Sequence, residues 1–130
     1  MDDLVVKEAG AEYDLEDRLI SFSALVIDVV EAVPQNRAGN HVAGQLVRSG
    51  TSAAPNYGEA QGAESRRDFI HKLRICLKEL KETRTWLKLC RKKGYGTGEL
   101  VSGSLDECEQ LVRIVARSIE TAKKNMTGDH

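Results

Sequence analysis

The 130-residue sequence predicts an all-α protein that folds as an antiparallel up-down-up-down four-helix bundle. Apolar residues recur at alternating steps of three and four residues in four segments, and no segment shows the period of two that marks a strand. The connections between these segments are short, which places consecutive helices antiparallel. We therefore expect one domain over residues 1–130, with helices at about 14–33, 38–61, 65–93 and 99–125.

The first helix is indicated by a regular apolar stripe and by two end signals. Asp14 is suited to the N-cap position, and Pro34 stops the helix because its ring prevents another helical turn. The stripe, which should face the core, consists of Leu15, Leu19, Phe22, Val26, Val29 and Val33.

The second helix has a seam of smaller residues, namely Val42, Leu46, Ser49, Ala53, Asn56 and Ala60. It also contains Gly44, Gly50 and Gly58, which each cost about 1 kcal/mol relative to alanine, and Pro55, which costs about 3 kcal/mol. Because small residues let another backbone approach closely, we expect this helix to be among the most enclosed, with a bend at Pro55. The alternative is a break between two shorter helices within residues 50–58.

The third and fourth helices repeat the same spacing. Gly94 is expected to end the third helix, because glycine readily adopts the left-handed conformation found there. The third stripe contains Phe69, Leu73, Cys76, Leu80, Thr83, Leu87 and Cys90, and it is widened by Ile70 and Leu77. The fourth stripe contains Val101, Leu105, Cys108, Val112, Val115, Ile119, Ala122 and Met126.

A row of polar side chains follows one side of the second helix. Two of them, Arg48 and Glu59, are about 16 Å apart along the helix axis and cannot pair with each other. If the row is buried, its charges need partners from neighbouring helices or from another subunit, because an unpaired buried charge is costly. The alternative is a solvated stripe. The row comprises Gln45, Arg48, Ser49, Ser52, Asn56 and Glu59.

QLVRSGTSAAPNYGEA followed by ESRRDFIHKLRICLKELKETRTWLKL resembles the four helix bundle proteins first noticed as products of intervening sequences within large-subunit ribosomal RNA genes. The resemblance runs from about Asp17 to Ala122. The sequence departs from the family pattern at Pro55, where a small non-proline residue is usual, and at Cys76, where alanine is more usual. The matching residues are Gln45, Arg48, Ser49, Ser52, Asn56, Glu59, Ala60, Arg66, Asp68, Phe69, Ile70, Leu73, Lys78, Glu79, Glu82, Thr83, Trp86 and Leu87.

The resemblance implies an antiparallel bundle that assembles as a homopentamer. The family is also similar to the accessory protein of diversity-generating retroelements, a pentameric barrel that binds nucleic acid and a reverse transcriptase. For most members of the family the biochemical role is unknown, so the resemblance implies an assembly but no reaction.

A second apolar patch on the third helix independently predicts self-association. Ile75 and Trp86 are eleven residues apart and point the same way, with Leu89 close by, about 110° from the core stripe. An aromatic anchor outside the protomer core is typical of an interface, and the alternative is an isolated exposed tryptophan. Residues 1–33 carry nine acids and two bases, whereas residues 64–94 carry four acids and eleven bases. We therefore expect the first helix to serve as a counter-surface for the third, within or between subunits.

The third helix carries enough positive charge to contact the phosphates of RNA or DNA. The overall net charge of −1 and the absence of interleaved aromatic residues weigh against this interpretation. A solvated or salt-bridged face is the alternative. The candidate contacts are Arg66, Arg67, Lys72, Arg74, Lys78, Lys81, Arg84, Lys88, Arg91, Lys92 and Lys93.

No pattern indicates catalytic residues, a metal site or a cofactor. A di-iron bundle needs two Glu-x-x-His pairs and two further glutamates, and the nearest approach is Asp68-x-x-His71. The odd number of cysteines, without C-x-x-C spacing, indicates free thiols in a reducing cytoplasm: Cys76, Cys90 and Cys108. The sequence shows neither a signal-peptide pattern nor an apolar run of membrane-spanning length, so we expect no membrane partner.

The sequence therefore predicts a non-enzymatic, cytoplasmic, homo-oligomeric scaffold that binds RNA or DNA through its third helix. The alternative is an adaptor for another protein that binds no nucleic acid.

Overall fold

The computed structural model describes the backbone of residues 3–128 and the side chains of residues 15–126. It contains five helices: α1 (Asp3–Glu31), α2 (Arg37–Gly50), α3 (Ala53–Gln61), α4 (Arg66–Lys93) and α5 (Gly98–Gly128). Because α2 and α3 together take the place of the predicted second helix, the described chain forms an all-α four-helix bundle, as predicted, and it has no strand.

The two most highly charged helices, α1 and α4, occupy opposite corners of the bundle. Each of them packs against α2, α3 and α5. Contacts between the α2–α3 segment and α4 run in opposite order along the chain. Ser49 of α2 contacts Thr83 of α4, whereas Glu59, later in the chain, contacts Lys72, which lies earlier in α4. The α2–α3 segment and α4 are therefore antiparallel.

The hydrophobic core follows the predicted stripes closely. All six stripe residues of α1 are buried, and Phe22, Leu80 and Val115 have no exposed surface. Asn56 is only half-buried, and Tyr57 takes the buried position instead, because the helix restarts at Ala53 and its phase changes. Three other residues of the predicted stripes are also only half-buried: Phe69, Leu77 and Met126. Leu111 is buried, although the predicted stripes did not include it.

The predicted start of the first helix is wrong. The helix begins at Asp3, so Asp14 lies inside it and is not the N-cap. Residues 3–13 are mostly good helix formers, with Gly10 as the main exception, and local propensity therefore allows the helix to begin earlier. At the other end α1 stops at Glu31, three residues before Pro34, close to the predicted boundary.

The predicted second helix is interrupted at Thr51 and Ser52, so the two-helix alternative describes the structure. Pro55 is the third residue of α3. It lacks the amide that would donate to the Thr51 carbonyl, and its ring crowds that carbonyl, so a continuous helix would be kinked at this point. In the first turn of a helix, however, the missing amide would have no intrahelical acceptor anyway, and proline is tolerated there.

The expectation that this segment is strongly enclosed is wrong for the protomer. Gly44 and Gly58 are exposed, and a Cβ added at either residue would meet no atom within 4 Å. Gly50 does allow a close approach, since an added Cβ would lie 2.5 Å from Cγ1 of Val26 in α1. Tight packing therefore offsets the helix cost of one glycine of these three within the protomer.

Both ends of α4 are fixed by local hydrogen bonds. Oγ of Ser65 accepts a hydrogen bond from the amide of Asp68 at 3.0 Å, which caps the N-terminus. Gly94 has a φ of 70°, and the amide of Tyr95 donates to the carbonyl of Cys90 at 2.9 Å, as in a Schellman motif. The predicted stop at Gly94 is confirmed.

Candidate nucleic-acid interface

The outward face of α4 is a continuous positive surface. The core stripe of α4 faces the interior of the bundle, so the residues on the opposite side of the helix are exposed to solvent. Nine of the eleven candidate cations are exposed. We call this set the basic ridge: Arg66, Arg67, Arg74, Lys78, Lys81, Lys88, Arg91, Lys92 and Lys93.

The other two candidate cations face neighbouring helices and are held in ion pairs. Nζ of Lys72 lies 3.1 Å from Oε1 of Glu59 in α3, and Nε of Arg84 lies 3.6 Å from Oε1 of Glu109 in α5. Both cations are half-buried. Lys72 and Arg84 therefore connect α4 to the rest of the bundle, and they are not part of the ridge.

The three carboxylates of α4 lie outside the exposed face of the ridge. Asp68, Glu79 and Glu82 are all half-buried, and no exposed residue of α4 is acidic. Glu79 and Glu82 lie against α2, where both pair with Arg48. Among the ridge cations, Lys78 still interacts electrostatically with Glu82 one turn away, whereas the exposed face itself holds no carboxylate of the same helix.

The predicted polar row supplies partners for α4. Arg48 donates to Glu79 and Glu82, and this hydrogen bonding lowers the pKa of Glu82. The Arg48 side chain is half exposed, so the row is neither wholly buried nor a purely solvated stripe. Ser49 is fully buried and accepts a 2.8 Å hydrogen bond from the Thr83 hydroxyl.

The remaining members of the row are satisfied locally or lie at the same seam. Ser52 donates to the Arg48 carbonyl at 2.5 Å, and the Asn56 amide donates to the Ser52 carbonyl at 2.8 Å. Gln45 is half-buried in the same row. The row therefore acts as a structural link between α2–α3 and α4, and sequence reasoning identified its residues without identifying its partners.

The predicted interface residues are less exposed than the sequence indicated. Trp86 is half-buried and packs against the core, so only part of its ring is available to an interface. Its Nε1 donates to Oε2 of Glu82 at 3.2 Å, and its ring meets that of His41 edge to face, with centroids 6.0 Å apart. Ile75 is half-buried, whereas Leu89 is 37% exposed.

Sequence reasoning missed a second exposed apolar pair, on α1. Ile20 is 52% exposed and Ile27 is 39% exposed. The signal was available, because the two isoleucines are seven residues apart and lie off the core stripe of α1. Large aliphatic side chains in solvent at heptad spacing mark an unpartnered helix face.

The nucleophilic side chains of the bundle are placed as structural groups. The three cysteines are free and buried, as predicted. Burial raises the pKa of Cys76 and of Cys108 to about 12 and also raises that of Cys90, so all three remain protonated thiols near neutral pH. Within residues 15–126, no group of three or more His, Cys, Asp or Glu side chains is placed to hold a metal ion.

A cleft of about 800 Å³ opens at one end of the bundle, between the end of α3, the start of α4 and the second half of α5. Phe69 and Ile114 supply apolar surface, and Arg66 and Arg117 supply charge. The cleft thus adjoins the end of the basic ridge at Arg66. Within residues 3–128, none of the helices combines the length and hydropathy that crossing a bilayer requires.

The fold and this surface define an all-α four-helix bundle with one strongly basic helix face. A family model described as 23S rRNA-intervening sequence protein matches residues 12–117. The chain therefore belongs to the 23S rRNA-intervening sequence protein family, in agreement with the resemblance that the sequence indicated.

A solved structure supports the same relationship. The chain is similar to a protein of unknown function from the S23 ribosomal protein family of Bacteroides thetaiotaomicron VPI-5482, with a TM-score of 0.74 and 30% identity. The similarity covers 81% of this chain and 97% of that chain. No curated protein matches this chain.

Proposed function

We propose that the protein is a non-enzymatic, homo-oligomeric scaffold that binds RNA or DNA through the basic ridge of α4. The observation that carries this proposal is the charge separation on α4: nine exposed cations and no exposed carboxylate. A basic helix whose only role is internal salt bridging would direct its cations toward carboxylates. In α4, Lys72 and Arg84 do so, and the other nine point outward.

The shape of the ridge favours contacts with phosphates. From Arg67 to Lys92 the ridge is about 37 Å long, at 1.5 Å per residue. Arg67, Arg74, Lys81 and Lys88 are spaced by seven residues and form a nearly straight column. None of the exposed residues of α4 is Phe, Tyr or Trp, and His71 is its one exposed ring, so the ridge is better suited to phosphate contacts than to stacking bases. We therefore propose binding that depends little on nucleotide sequence.

Self-association would multiply this surface. The proposed state is a homo-oligomer, and the family resemblance suggests a pentamer. Leu89, with half-buried Trp86 one turn away, offers apolar surface at the edge of the ridge, and half-buried Ile75 adds a second apolar point about 21 Å along the helix. We place the protein in the cytoplasm, where a reducing environment would keep its three cysteines as thiols.

The second candidate function is an adaptor that binds another protein and no nucleic acid. The observation that favours it is Leu89, an exposed leucine within a basic surface, which suits a partner that is both acidic and apolar. In this case the affinity of the ridge for an oligonucleotide would be negligible even at low salt.

The test is the binding of a labelled oligonucleotide across a salt series. We expect the affinity of the wild-type protein to fall by about a thousandfold or more between roughly 50 and 200 mM salt, as for proteins that neutralise six or more phosphates. Replacing Arg74, Lys81 and Lys88 together by Glu should abolish binding, because it reverses the centre of the ridge.

The matched control replaces Arg113, Lys123 and Lys124 together by Glu. These cations are exposed on α5, outside the ridge, and their replacement changes the net charge equally. We expect this control to retain binding within a few-fold. No binding by the wild-type protein at low salt, or an equal loss in the α5 control, would refute a role for the ridge.

A further inference from the structure

The cleft at the end of the bundle is a concave site to which the proposed function assigns no role. Its volume of about 800 Å³ lies within the range of about 300–1,000 Å³ that is typical of small-molecule sites. Small side chains surround it, so the end of α3, the start of α4 and the second half of α5 leave space where they meet. These small residues are Ala60, Ala63, Ser65, Ser118 and Ala122.

The floor of the cleft is apolar and leads toward the core. Phe69 of α4 and Ile114 of α5 are half-buried, and they line both the cleft and a smaller adjoining cavity of about 170 Å³. The smaller cavity reaches Leu15 and Leu73, which are buried residues of the core. An apolar group bound against Phe69 and Ile114 therefore has further apolar space beyond it.

The rim of the cleft is cationic. Arg66, the first residue of α4, and Arg117 of α5 line the same cleft, and neither forms an ion pair among the described side chains. Glu64 also lines the cleft, so two arginines and one glutamate leave one net positive charge. Thr121 and Asn125 follow Arg117 at steps of four residues and continue a polar edge along α5.

We propose that this cleft binds a small amphipathic anion, a molecule with one carboxylate or phosphate headgroup and an apolar body. The headgroup lies between Arg66 and Arg117, and the apolar body packs on Phe69 and Ile114 toward the smaller cavity. Guanidinium groups bind carboxylates and phosphates through pairs of parallel N–H donors, so the two arginines suit either headgroup. This inference goes beyond the proposed function, because it requires neither nucleic acid nor self-association.

The apolar floor distinguishes the cleft from the basic ridge. A phosphate of RNA or DNA would use the arginines and would leave Phe69 and Ile114 in contact with water. An amphipathic anion uses both parts of the site, since burial of its apolar body adds to the attraction of its headgroup. Arg66 is the one residue that the ridge and the cleft share, so an occupied cleft takes at most one cation from the ridge.

The first test compares three ligands with the same alkyl chain by isothermal titration calorimetry: decanoate, decyl phosphate and decanol, each below the concentration at which it aggregates. We expect both anions to bind the wild-type protein and decanol to bind about tenfold more weakly. The expected difference is moderate because both arginines are exposed, and exposed ion pairs are individually weak. Binding of either anion in preference to decanol supports the proposal, and the relative affinities of the two anions identify the preferred headgroup.

The second test removes the two cations of the rim. Arg66→Gln combined with Arg117→Gln should lower the affinity for decanoate to that for decanol. The matched control combines Arg37→Gln with Arg113→Gln. Arg37 is likewise the first residue of its helix, Arg113 is an exposed cation of α5, and neither lines the cleft. We expect the control to keep the wild-type affinity within about twofold.

The third test fills the cleft. Thr121 is exposed and lines the cleft, so Thr121→Trp should obstruct it without disturbing the core and should abolish the binding of both anions. Thr85→Trp is the control, because Thr85 is an exposed threonine of α4 outside the cleft. Far-ultraviolet circular dichroism should show the same helical content for both variants.

Three results would overturn this inference. The first is the absence of binding by both anions at millimolar concentrations. The second is an affinity for decanol equal to that for the anions, or a decanoate affinity that the double arginine variant leaves unchanged, because either would show that the rim does not recognise charge. The third is unchanged binding by Thr121→Trp, which would place the ligand elsewhere. None of these results bears on the ridge, which is tested by oligonucleotide binding.

Discussion

At the scale of single residues, the contact between α1 and α2 depends on the missing side chain of Gly50. Oγ of Ser23 donates to the Gly50 carbonyl at 2.8 Å, and the side chain of Val26 occupies the space that a Cβ of residue 50 would need. Gly44, only six residues earlier, faces open space. Two glycines of one helix thus have opposite roles: Gly50 allows close packing, whereas Gly44 lowers helix stability without forming a contact in the protomer.

Replacing Gly50 by alanine should destabilise the protein. The new Cβ would lie 2.5 Å from Cγ1 of Val26, and the resulting overpacking is expected to lower the free energy of unfolding by about 1–3 kcal/mol. The matched control, Gly44→Ala, should raise it by up to about 1 kcal/mol, because alanine favours the helix and nothing obstructs its methyl group. Urea unfolding at one fixed protein concentration measures both. Equal effects of the two substitutions would contradict the close approach.

The ion pair between Arg48 and Glu82 should make stability depend on pH. Hydrogen bonding from Arg48 holds the pKa of Glu82 below its value in the unfolded chain. The contribution of the pair is therefore fully present above the unfolded carboxyl pKa and is lost as the pH falls through the lower folded pKa. Arg48 is half exposed, so the effect is expected to be modest.

The variant Arg48→Gln tests this expectation. The difference in unfolding free energy from the wild-type protein should be largest near neutral pH and should vanish in acid. Arg113→Gln is the control, because Arg113 is exposed and forms none of the ion pairs found among side chains 15–126. A difference for Arg48→Gln that does not change with pH would show that the contribution of Arg48 does not depend on an ionised carboxylate.

At the scale of helices, the interruption between α2 and α3 changes the expected cost of Pro55. In the interior of a continuous helix, proline costs about 3 kcal/mol relative to alanine. In the first turn of α3 the cost is much smaller, since the first amides of a helix have no intrahelical acceptor. Pro55→Ala should therefore change the free energy of unfolding by less than about 1 kcal/mol. A gain near 3 kcal/mol, with an increase in helical circular dichroism, would instead indicate a strained continuous helix.

Local signals in the sequence were sufficient to predict most of the helices. The heptad stripes identified the buried faces, and Pro34 and Gly94 marked two ends, because these signals act within a few residues. The start of α1 was not predicted correctly, because it depends on several weak helix preferences and no single residue decides it. The interruption at Thr51 was predicted only as the alternative to a bend, because proline can either kink a helix or break it and the sequence does not show which.

The candidate site was predictable only in part. The eleven cations of α4 were evident from composition, but the sequence could not show that Lys72 and Arg84 face acids on α3 and α5. Nor could it show that Glu79 and Glu82 face Arg48. Ion pairs between helices depend on how the helices are arranged around the core, and a single sequence does not specify that arrangement.

At the scale of the whole molecule, packing leaves two oppositely charged surfaces at opposite corners of the bundle. Among side chains 15–126, no ion pair joins α1 to α4, because both helices pack against α2, α3 and α5 instead.

The most direct test of the ridge is the salt dependence of duplex DNA binding in a series of neutral substitutions. Arg74→Gln, Lys81→Gln and Lys88→Gln are introduced singly and then together, and the logarithm of the affinity is plotted against the logarithm of the salt concentration. If these side chains contact phosphates, the slope should become shallower by about 0.9 for each cation removed. A slope that stays at the wild-type value through the triple variant would contradict binding of nucleic acid by this surface.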